Sequence, residues 1–99
     1  MARFSVYRST EEAILILDLQ ADVLDALRTR VVVPLYPVEM MSWSIGRMNP
    51  RFDIEGIRYT MATQRIAAIN IALFGPFVAD LSARADDITA ATDFLFQGF

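Results

Sequence analysis

The carboxylates near the end of the chain are the residues whose types and spacing first suggest chemistry. Asp86 and Asp87 are adjacent, and Asp80 and Asp93 lie in the same predicted helical stretch. Paired carboxylates can act as a general acid and a general base. Neighbouring residues of a helix point about 100° apart, however, so Asp86 and Asp87 do not converge on one substrate atom. Asp80, Arg84 and Asp87 are spaced i, i+4 and i+7, which favours a solvated ion-pair face over an acid–base site.

The composition excludes most other catalytic sites. The chain of 99 residues contains no His, Cys or Lys, and all nine of its basic residues are Arg. Disulfides, zinc fingers, histidine bases and Schiff-base lysines are therefore absent, and we expect no metal and no cofactor. The four glycines are dispersed and form no phosphate-binding loop. A ribonuclease built from other side chains stays an alternative, with Arg30, Arg58, Thr63 and Arg65 as its candidate residues.

The last residues form an unusual chain end. Their apolar spacing predicts one amphipathic helix over residues 77–99, with Pro76 before its first turn and Gly98 as its stop. The apolar stripe consists of Val78, Leu81, Ala85, Ile88, Thr92 and Leu95. Chain ends are normally hydrated, yet this one carries Phe96 and Phe99. We expect this aromatic end either to fold back onto its own domain or to contact another protein.

The overall composition predicts one self-associating domain over residues 1–99. Hydrophobic residues make up 55% of the chain, which is more than a small monomer buries, so we expect a homodimer. The net charge of −3 argues against direct nucleic-acid binding. The first residues lack the apolar core of a signal peptide, and no apolar run is long enough to span a membrane. We therefore expect a cytoplasmic protein with no membrane association.

Hydrophobic alternation predicts about five strands followed by the helix. The predicted strands are residues 4–8, 13–19, 30–35, 57–63 and 67–74. Residues 13–19 are almost all apolar, which suits the centre of a sheet, and Pro34 requires an edge or a bulge. Residues 36–56 are irregular and are predicted to carry a small hairpin, and residues 64–66 a hairpin bend. The predicted fold class is α+β, a small twisted antiparallel sheet or partial barrel with a C-terminal α-helix.

An ordered set of segments then matches a known family over nearly the whole chain. The segments are Phe4-Ser5-Val6-Tyr7, Leu17-Asp18-Leu19-Gln20-Ala21-Asp22-Val23, Arg30-Val31-Val32-Val33-Pro34-Leu35, Tyr59-Thr60-Met61-Ala62-Thr63, Val78-Ala79-Asp80-Leu81-Ser82 and Asp87-Ile88. In these segments the chain resembles the CcdB family of toxins. Its end, Leu95-Phe96-Gln97-Gly98-Phe99, aligns with the family's Phe-Trp-Gly-Ile terminus, and residues 36–52 match poorly.

The resemblance implies a fold, partners and an activity. The fold is the SH3-like partial barrel shared with MazF-like toxins, and the protein is a homodimer. The activity is not enzymatic: the dimer poisons DNA gyrase by trapping its covalent DNA-cleavage complex, and a CcdA-like antitoxin neutralises it. The residues carried over as contacts to the DNA-cleaving subunit of gyrase are Phe96, Gln97, Gly98 and Phe99. Gln97 stands where the family has Trp. Two alternatives are a MazF-like endoribonuclease and a non-toxic homologue that binds only an antitoxin or another partner.

Overall fold

An antiparallel sheet and one C-terminal helix make up the structure, a computed structural model that describes residues 2–10, 13–41 and 43–98. The strands are β1 (Ser5–Arg8), β2 (Leu15–Asp18), β3 (Thr29–Pro37), β4 (Arg51–Ile54), β5 (Ile57–Met61), β6 (Ala67–Asn70) and β7 (Phe77–Asp80). The helix is α1 (Ala85–Gln97). Short 3-10 turns connect several of these elements. The predicted α+β fold class is confirmed.

The sheet is built around β2 and β3. Its strand order is β4-β5-β3-β2-β1-β7, and β6 pairs with β3 outside this path. Every residue of β2 is buried, and the strand lies between β1 and β3. The expectation of a buried strand at the centre of the sheet is therefore confirmed, although the strand covers Leu15–Asp18 and not the whole of residues 13–19. The strands predicted at residues 4–8 and 30–35 also form, and the second of them extends to nine residues.

Pro34 lies in the interior of the sheet and not at an edge, but the pairing beside it is irregular, as the missing N–H of a proline requires. Pro34 pairs with Ile16 of β2, and its carbonyl accepts the N–H of Ala62 at 3.0 Å. On that side of β3 the neighbouring strand is interrupted between Met61 and Ala67. The hydrogen-bond ladder is already broken beside Pro34. No carbonyl of a neighbouring strand therefore needs an N–H from this residue, and a proline fits there.

The bend predicted at residues 64–66 is a 3-10 turn, Thr63–Arg65, and not a hairpin. Strands β5 and β6 both pair with β3, with Leu35 opposite Met61 and Val32 opposite Ala67. They follow one another along the same side of β3, which alternation alone cannot reveal. The hairpin of this region joins β4 to β5, and it turns at Glu55 and Gly56, which both have positive φ.

The helix begins later than the sequence pattern predicts. Residues 77–80 form strand β7, which pairs with β1, and α1 starts only at Ala85. Two features end the strand and separate it from the helix: the Asp80 carboxylate accepts the N–H of Ser82 at 2.8 Å, and a 3-10 turn follows. Position 75, just before β7, requires a glycine, because the Cβ of any other residue would lie 2.8 Å from the carbonyl oxygen of Arg8. Pro76 therefore leads into a strand and not into a helix.

One face of the sheet packs against α1 to form the hydrophobic core. The buried members of this core are Phe4, Val6, Leu15, Leu17, Val33, Leu35, Phe52, Ile54, Tyr59, Met61, Leu81, Ile88 and Ala91. Ile88 and Ala91 are the helix residues buried in it. The core thus fixes the first half of α1 and leaves its last turn to be placed by the helix geometry.

Candidate functional site

The C-terminal turn of α1 projects away from the core. Ile88 and Ala91 are buried, Phe94 and Leu95 are half-buried, and Phe96 is 71% exposed. The guanidinium carbon of Arg47 lies 5.6 Å from the centre of the Phe94 ring and covers that side chain. Within the described residues, the aromatic end does not fold back onto the domain. Phe96 is therefore available for contact with another protein.

Gly98 ends the helix as the sequence predicts. It adopts the left-handed conformation with φ of 80°, and its N–H donates to the carbonyl of Phe94 at 2.9 Å. A side chain would meet no atom within 4 Å at this position, so the glycine serves the backbone conformation and not a close approach. The resulting turn sets the direction in which the chain leaves the helix.

The structure brings three of the four predicted gyrase-contact residues together at this end. Phe96, Gln97 and Gly98 are consecutive and exposed. Phe99 lies outside the described residues. Phe96 offers a ring without an aromatic partner in the described part of the chain, while Gln97 offers an amide that donates and accepts hydrogen bonds. The site is therefore an exposed helix tip with an apolar ring from Phe96 and a polar amide from Gln97. The core fixes the other end of the helix.

Arg30, one of the ribonuclease candidates, belongs to a buried ionic cluster. Its side chain is 1% exposed, and its Nε lies 2.7 Å from Oδ2 of Asp18, which is 0% exposed. Its Nη1 donates to Asp25 at 2.7 Å, and its Nη2 donates to the carbonyl of Gln20 at 3.2 Å. Burial raises the pKa of Asp18, while the N–H of Gln20 and the Arg30 guanidinium act in the opposite direction. This cluster links β2 to the start of β3 and offers no surface for a substrate.

The other ribonuclease candidates have separate surroundings. Thr63 is buried, and its hydroxyl donates to the carbonyl of Met48. Nη1 of Arg65 donates to the Tyr36 hydroxyl at 2.8 Å. Nη1 of Arg58 lies 3.8 Å from Oδ1 of Asp53. The structure therefore does not gather the four candidates into one site. Among the described residues, no group of three or more acidic side chains could hold a metal ion.

The face of the sheet opposite the core is apolar and only partly covered. Tyr7, Ile16 and Pro34 are directly opposite one another across β1, β2 and β3, and the Phe77 ring lies 5.9 Å from that of Tyr7. We call this the outer apolar face and define it by Tyr7, Ile16, Pro34, Ile69, Leu73 and Phe77. Phe77 is 59% exposed. An apolar face of this kind is typical of a protein–protein contact.

A second exposed group belongs to the segment that resembles the family least. Trp43 and Met40 are both more than half exposed, and they line a cavity of about 150 Å³ together with Tyr36 and Arg65. A Met- and Trp-rich segment can either pack on the core or form a partner surface. Met41 is buried, so the segment is anchored at one residue and exposes its neighbours.

In the ranges described, no helix is both long and apolar enough to cross a bilayer.

The comparison with known families agrees with this architecture. A family model described as "CcdB protein" matches residues 3–98, which is nearly the whole chain. The sheet, the C-terminal helix and the exposed helix end all lie within the matched residues. The chain therefore belongs to the CcdB family, the toxins of toxin–antitoxin modules.

Proposed function

We propose that this toxin poisons DNA gyrase by trapping the covalent DNA-cleavage complex, and that it catalyses no reaction itself. The observation that carries the proposal is the exposed aromatic tip of α1, with Phe96 71% exposed on a helix that the core holds in place. The DNA-cleaving subunit of gyrase would receive this tip in the cytoplasm. The proposed contact residues are Phe96, Gln97, Gly98 and Phe99.

Phe96 would supply most of the apolar contact. Full burial of a Phe side chain stabilises a complex by about 1.5–3 kcal/mol, and about 1.4 kcal/mol corresponds to a tenfold change in affinity. Its position in the last turn lets the ring enter a partner while Ile88 and Ala91 stay in the toxin core. A tip on a fixed helix also loses little conformational freedom on binding, which favours affinity.

Gln97 distinguishes this chain from the family pattern. A glutamine forms hydrogen bonds but does not stack on guanidinium groups as an indole does. Loss of an aromatic anchor commonly costs about 2 kcal/mol or more. We propose that Phe96 and Phe99 take over the aromatic contact. If they do not, this toxin binds an antitoxin or another partner without acting on gyrase.

The outer apolar face would form the contact between two copies. Self-association through one face gives a two-fold symmetric dimer, and such a dimer presents two helix tips to a two-fold symmetric enzyme. The expected antitoxin is CcdA-like. Its binding would be independent of the helix tip, so toxicity and neutralisation can be separated experimentally.

The test is a plasmid cleavage assay with gyrase of the source organism, ATP and the purified toxin, in which protein is removed before electrophoresis. The native protein is expected to accumulate linear DNA. Phe96→Ala is expected to require about tenfold more toxin, because it removes the exposed ring without opening the core. Thr89→Ala is the matched control, since Thr89 is exposed on the same helix but away from its end.

Two results would contradict the proposal. If the folded native protein gives no linear DNA and does not inhibit supercoiling, gyrase is not its target. If Phe96→Ala and Thr89→Ala are equally active, the tip is not the contact surface. RNA incubated with the toxin in a parallel reaction should remain intact, because the ribonuclease candidate residues do not form one site.

A further inference from the structure

A groove rich in arginine lies between residues 44–51, strand β5 and the first turns of α1. It encloses about 560 Å³, which is within the usual range for small-molecule sites. We call it the arginine groove and define it by its charged lining residues, Arg47, Arg51, Arg58, Arg84 and Asp87. None of these residues belongs to the helix tip or to the outer apolar face, so the groove is not explained by the proposed function.

The arginine groove concentrates positive charge on an acidic protein. The chain has nine Arg residues and twelve Asp and Glu residues, with a net charge of −3. Four of those nine arginines line this one cavity, and among the described residues Asp87 is the one carboxylate in the lining, which gives the lining a formal charge of +3. Bringing several arginines close together costs free energy because their charges repel one another. An anion bound between them would therefore stabilise the arrangement.

One of the four arginines is held firmly in place. Arg84 donates from Nε to Asp87 at 2.7 Å, and its guanidinium carbon lies 4.7 Å from the centre of the Phe52 ring. Its Nη1 lies 3.4 Å from the carbonyl oxygen of Arg51. These contacts fix the guanidinium plane at the wall of the groove without using all its donors.

The other three guanidinium groups have few partners among the described residues. Arg47 lies beside the Phe94 ring, and its side chain is exposed. The Nε of Arg51 is buried and has no hydrogen-bond acceptor, and its Nη2 is 3.4 Å from the Ser44 hydroxyl. Arg58 is 3.8 Å from Asp53, which is a loose ion pair between exposed side chains. The buried Nε of Arg51 is the group that calls for an acceptor, because buried polar groups are normally hydrogen-bonded. The exposed guanidinium groups of Arg47 and Arg58 have donors that a ligand could use.

We propose that the arginine groove binds a compact polyphosphate group, such as the triphosphate of a nucleotide or inorganic triphosphate. Guanidinium groups donate two parallel hydrogen bonds to phosphate, and several of them can surround a phosphate chain. A triphosphate carries three or more negative charges within a few ångströms, which matches the charge and the size of the groove. The nearby Ser44 hydroxyl adds a further donor.

An acidic peptide fits the arginine groove less well. An extended chain advances about 3.3 Å per residue and points successive side chains to opposite sides. It would therefore bring only about one carboxylate in two residues to face the groove, and the charge of the four arginines would stay partly uncompensated. Long nucleic acids are disfavoured for another reason, because the protein surface outside the groove is acidic overall.

The proposal is tested by isothermal titration calorimetry of the native protein with inorganic triphosphate at low salt, up to millimolar concentrations. Inorganic monophosphate, ATP and penta-glutamate serve as comparison ligands. Triphosphate is expected to bind at least about tenfold more tightly than monophosphate, with an affinity that falls as salt is added. Equal affinities for ATP and triphosphate would identify the phosphates as the whole ligand, and tighter ATP binding would show that the nucleoside adds contacts.

Matched variants locate the site. Arg47→Gln combined with Arg58→Gln is expected to weaken triphosphate binding by about a hundredfold, because each substitution removes one charge-assisted contact worth about tenfold. Arg28→Gln is the control, since Arg28 is exposed and outside the groove. Asp87→Asn is expected to strengthen binding, whereas Asp86→Asn, its neighbour on the helix, is expected to change it little. Thermal unfolding of each variant confirms that it is folded.

Three results would overturn the proposal: no binding of triphosphate to the folded native protein, equal weakening by Arg28→Gln, or tighter binding of penta-glutamate than of triphosphate. The first would leave the groove without a ligand, and the second would indicate a general charge effect. The third would identify a peptide site. Each of these results is independent of gyrase, so a failed gyrase assay would leave this proposal standing.

Discussion

Replacing Arg30 by methionine is expected to destabilise the protein severely, because it leaves the Asp18 carboxylate buried without its cation. Arg30 Nε and Asp18 Oδ2 are 2.7 Å apart, with side chains 1% and 0% exposed. Both the charge of Arg30 and its side-chain contact with the carboxylate act to lower the pKa of Asp18, as expected of a buried ion pair. Breaking a buried ion pair by removing one partner costs about 3–5 kcal/mol.

That cost is a large part of the total stability. A domain of this length has a free energy of unfolding of about 5–15 kcal/mol. A loss of about 3 kcal/mol lowers the melting temperature of a small domain by roughly 12 °C or more. Methionine fills part of the volume of the arginine stem, so the effect expected from Arg30→Met comes mostly from the unpaired charge and the lost hydrogen bonds to Asp25 and Gln20.

The destabilisation should depend on pH in a defined direction. Burial raises the pKa of Asp18 above its ordinary value of 3.8 even beside Arg30, and removing the arginine raises it further. A raised pKa in the folded state means that the folded protein binds the proton more tightly than the unfolded chain. The contribution of this group is therefore fully present below pH 3.8 and is lost as the pH rises through the folded-state pKa.

The assay is urea unfolding of the native protein, Arg30→Met and the double variant Asp18→Asn/Arg30→Met at pH 7 and at pH 4. Arg30→Met should be least stable relative to the native protein at pH 7, and the double variant should recover part of the loss there. Arg28→Met is the control, because Arg28 is exposed two residues earlier. A loss below about 1 kcal/mol for Arg30→Met, or a loss that is equal at both pH values, would refute the reasoning.

Two further predictions concern the surfaces assigned above. Gln97→Trp should lower the toxin concentration needed for gyrase-mediated DNA cleavage by about tenfold, because it restores an aromatic anchor, and unchanged or weaker cleavage would mean that Gln97 is not the weakened contact. The native protein should sediment as the proposed dimer in analytical ultracentrifugation, and Phe77→Arg should sediment as a monomer, because it places a charge on the outer apolar face. Val23→Arg changes a residue that is 88% exposed and lies outside that face, so it should sediment like the native protein.

The sequence predicts the strands whose burial is strongest. The apolar run at residues 13–19 contains the central strand, Leu15–Asp18, because a run of apolar side chains favours a strand that is buried in the sheet. The start of α1 is mispredicted because Val78 and Leu81 fit the helical spacing as well as a strand, and four residues are too few to separate the two periods. Residues 77–80 form a strand because they pair with β1, which is far from them along the chain.

The candidate sites divide in the same way. The exposed aromatic tip could be inferred from Phe96 and Gly98 alone, because a glycine stop and an aromatic side chain beyond the buried stripe follow from local spacing. The arginine groove could not be inferred. In the sequence, Arg58 stands out as a ribonuclease candidate and Arg84 as a member of an ion-pair face, but nothing connects either of them with Arg47 and Arg51. The segments that carry these four arginines are far apart along the chain, and the fold brings them together.

Local sequence thus specifies what each segment is able to form: the alternating strands, the helix stop at Gly98, and a chemistry limited to arginine, carboxylates and hydroxyls. The fold decides which of these groups meet. Long-range pairing places Pro34 opposite a gap in the neighbouring strand and buries Arg30 against Asp18. It also collects four arginines around one cavity. The physical reason is that propensity acts over a few residues, whereas burial, ion pairing and desolvation depend on neighbours that only the packed sheet and helix supply.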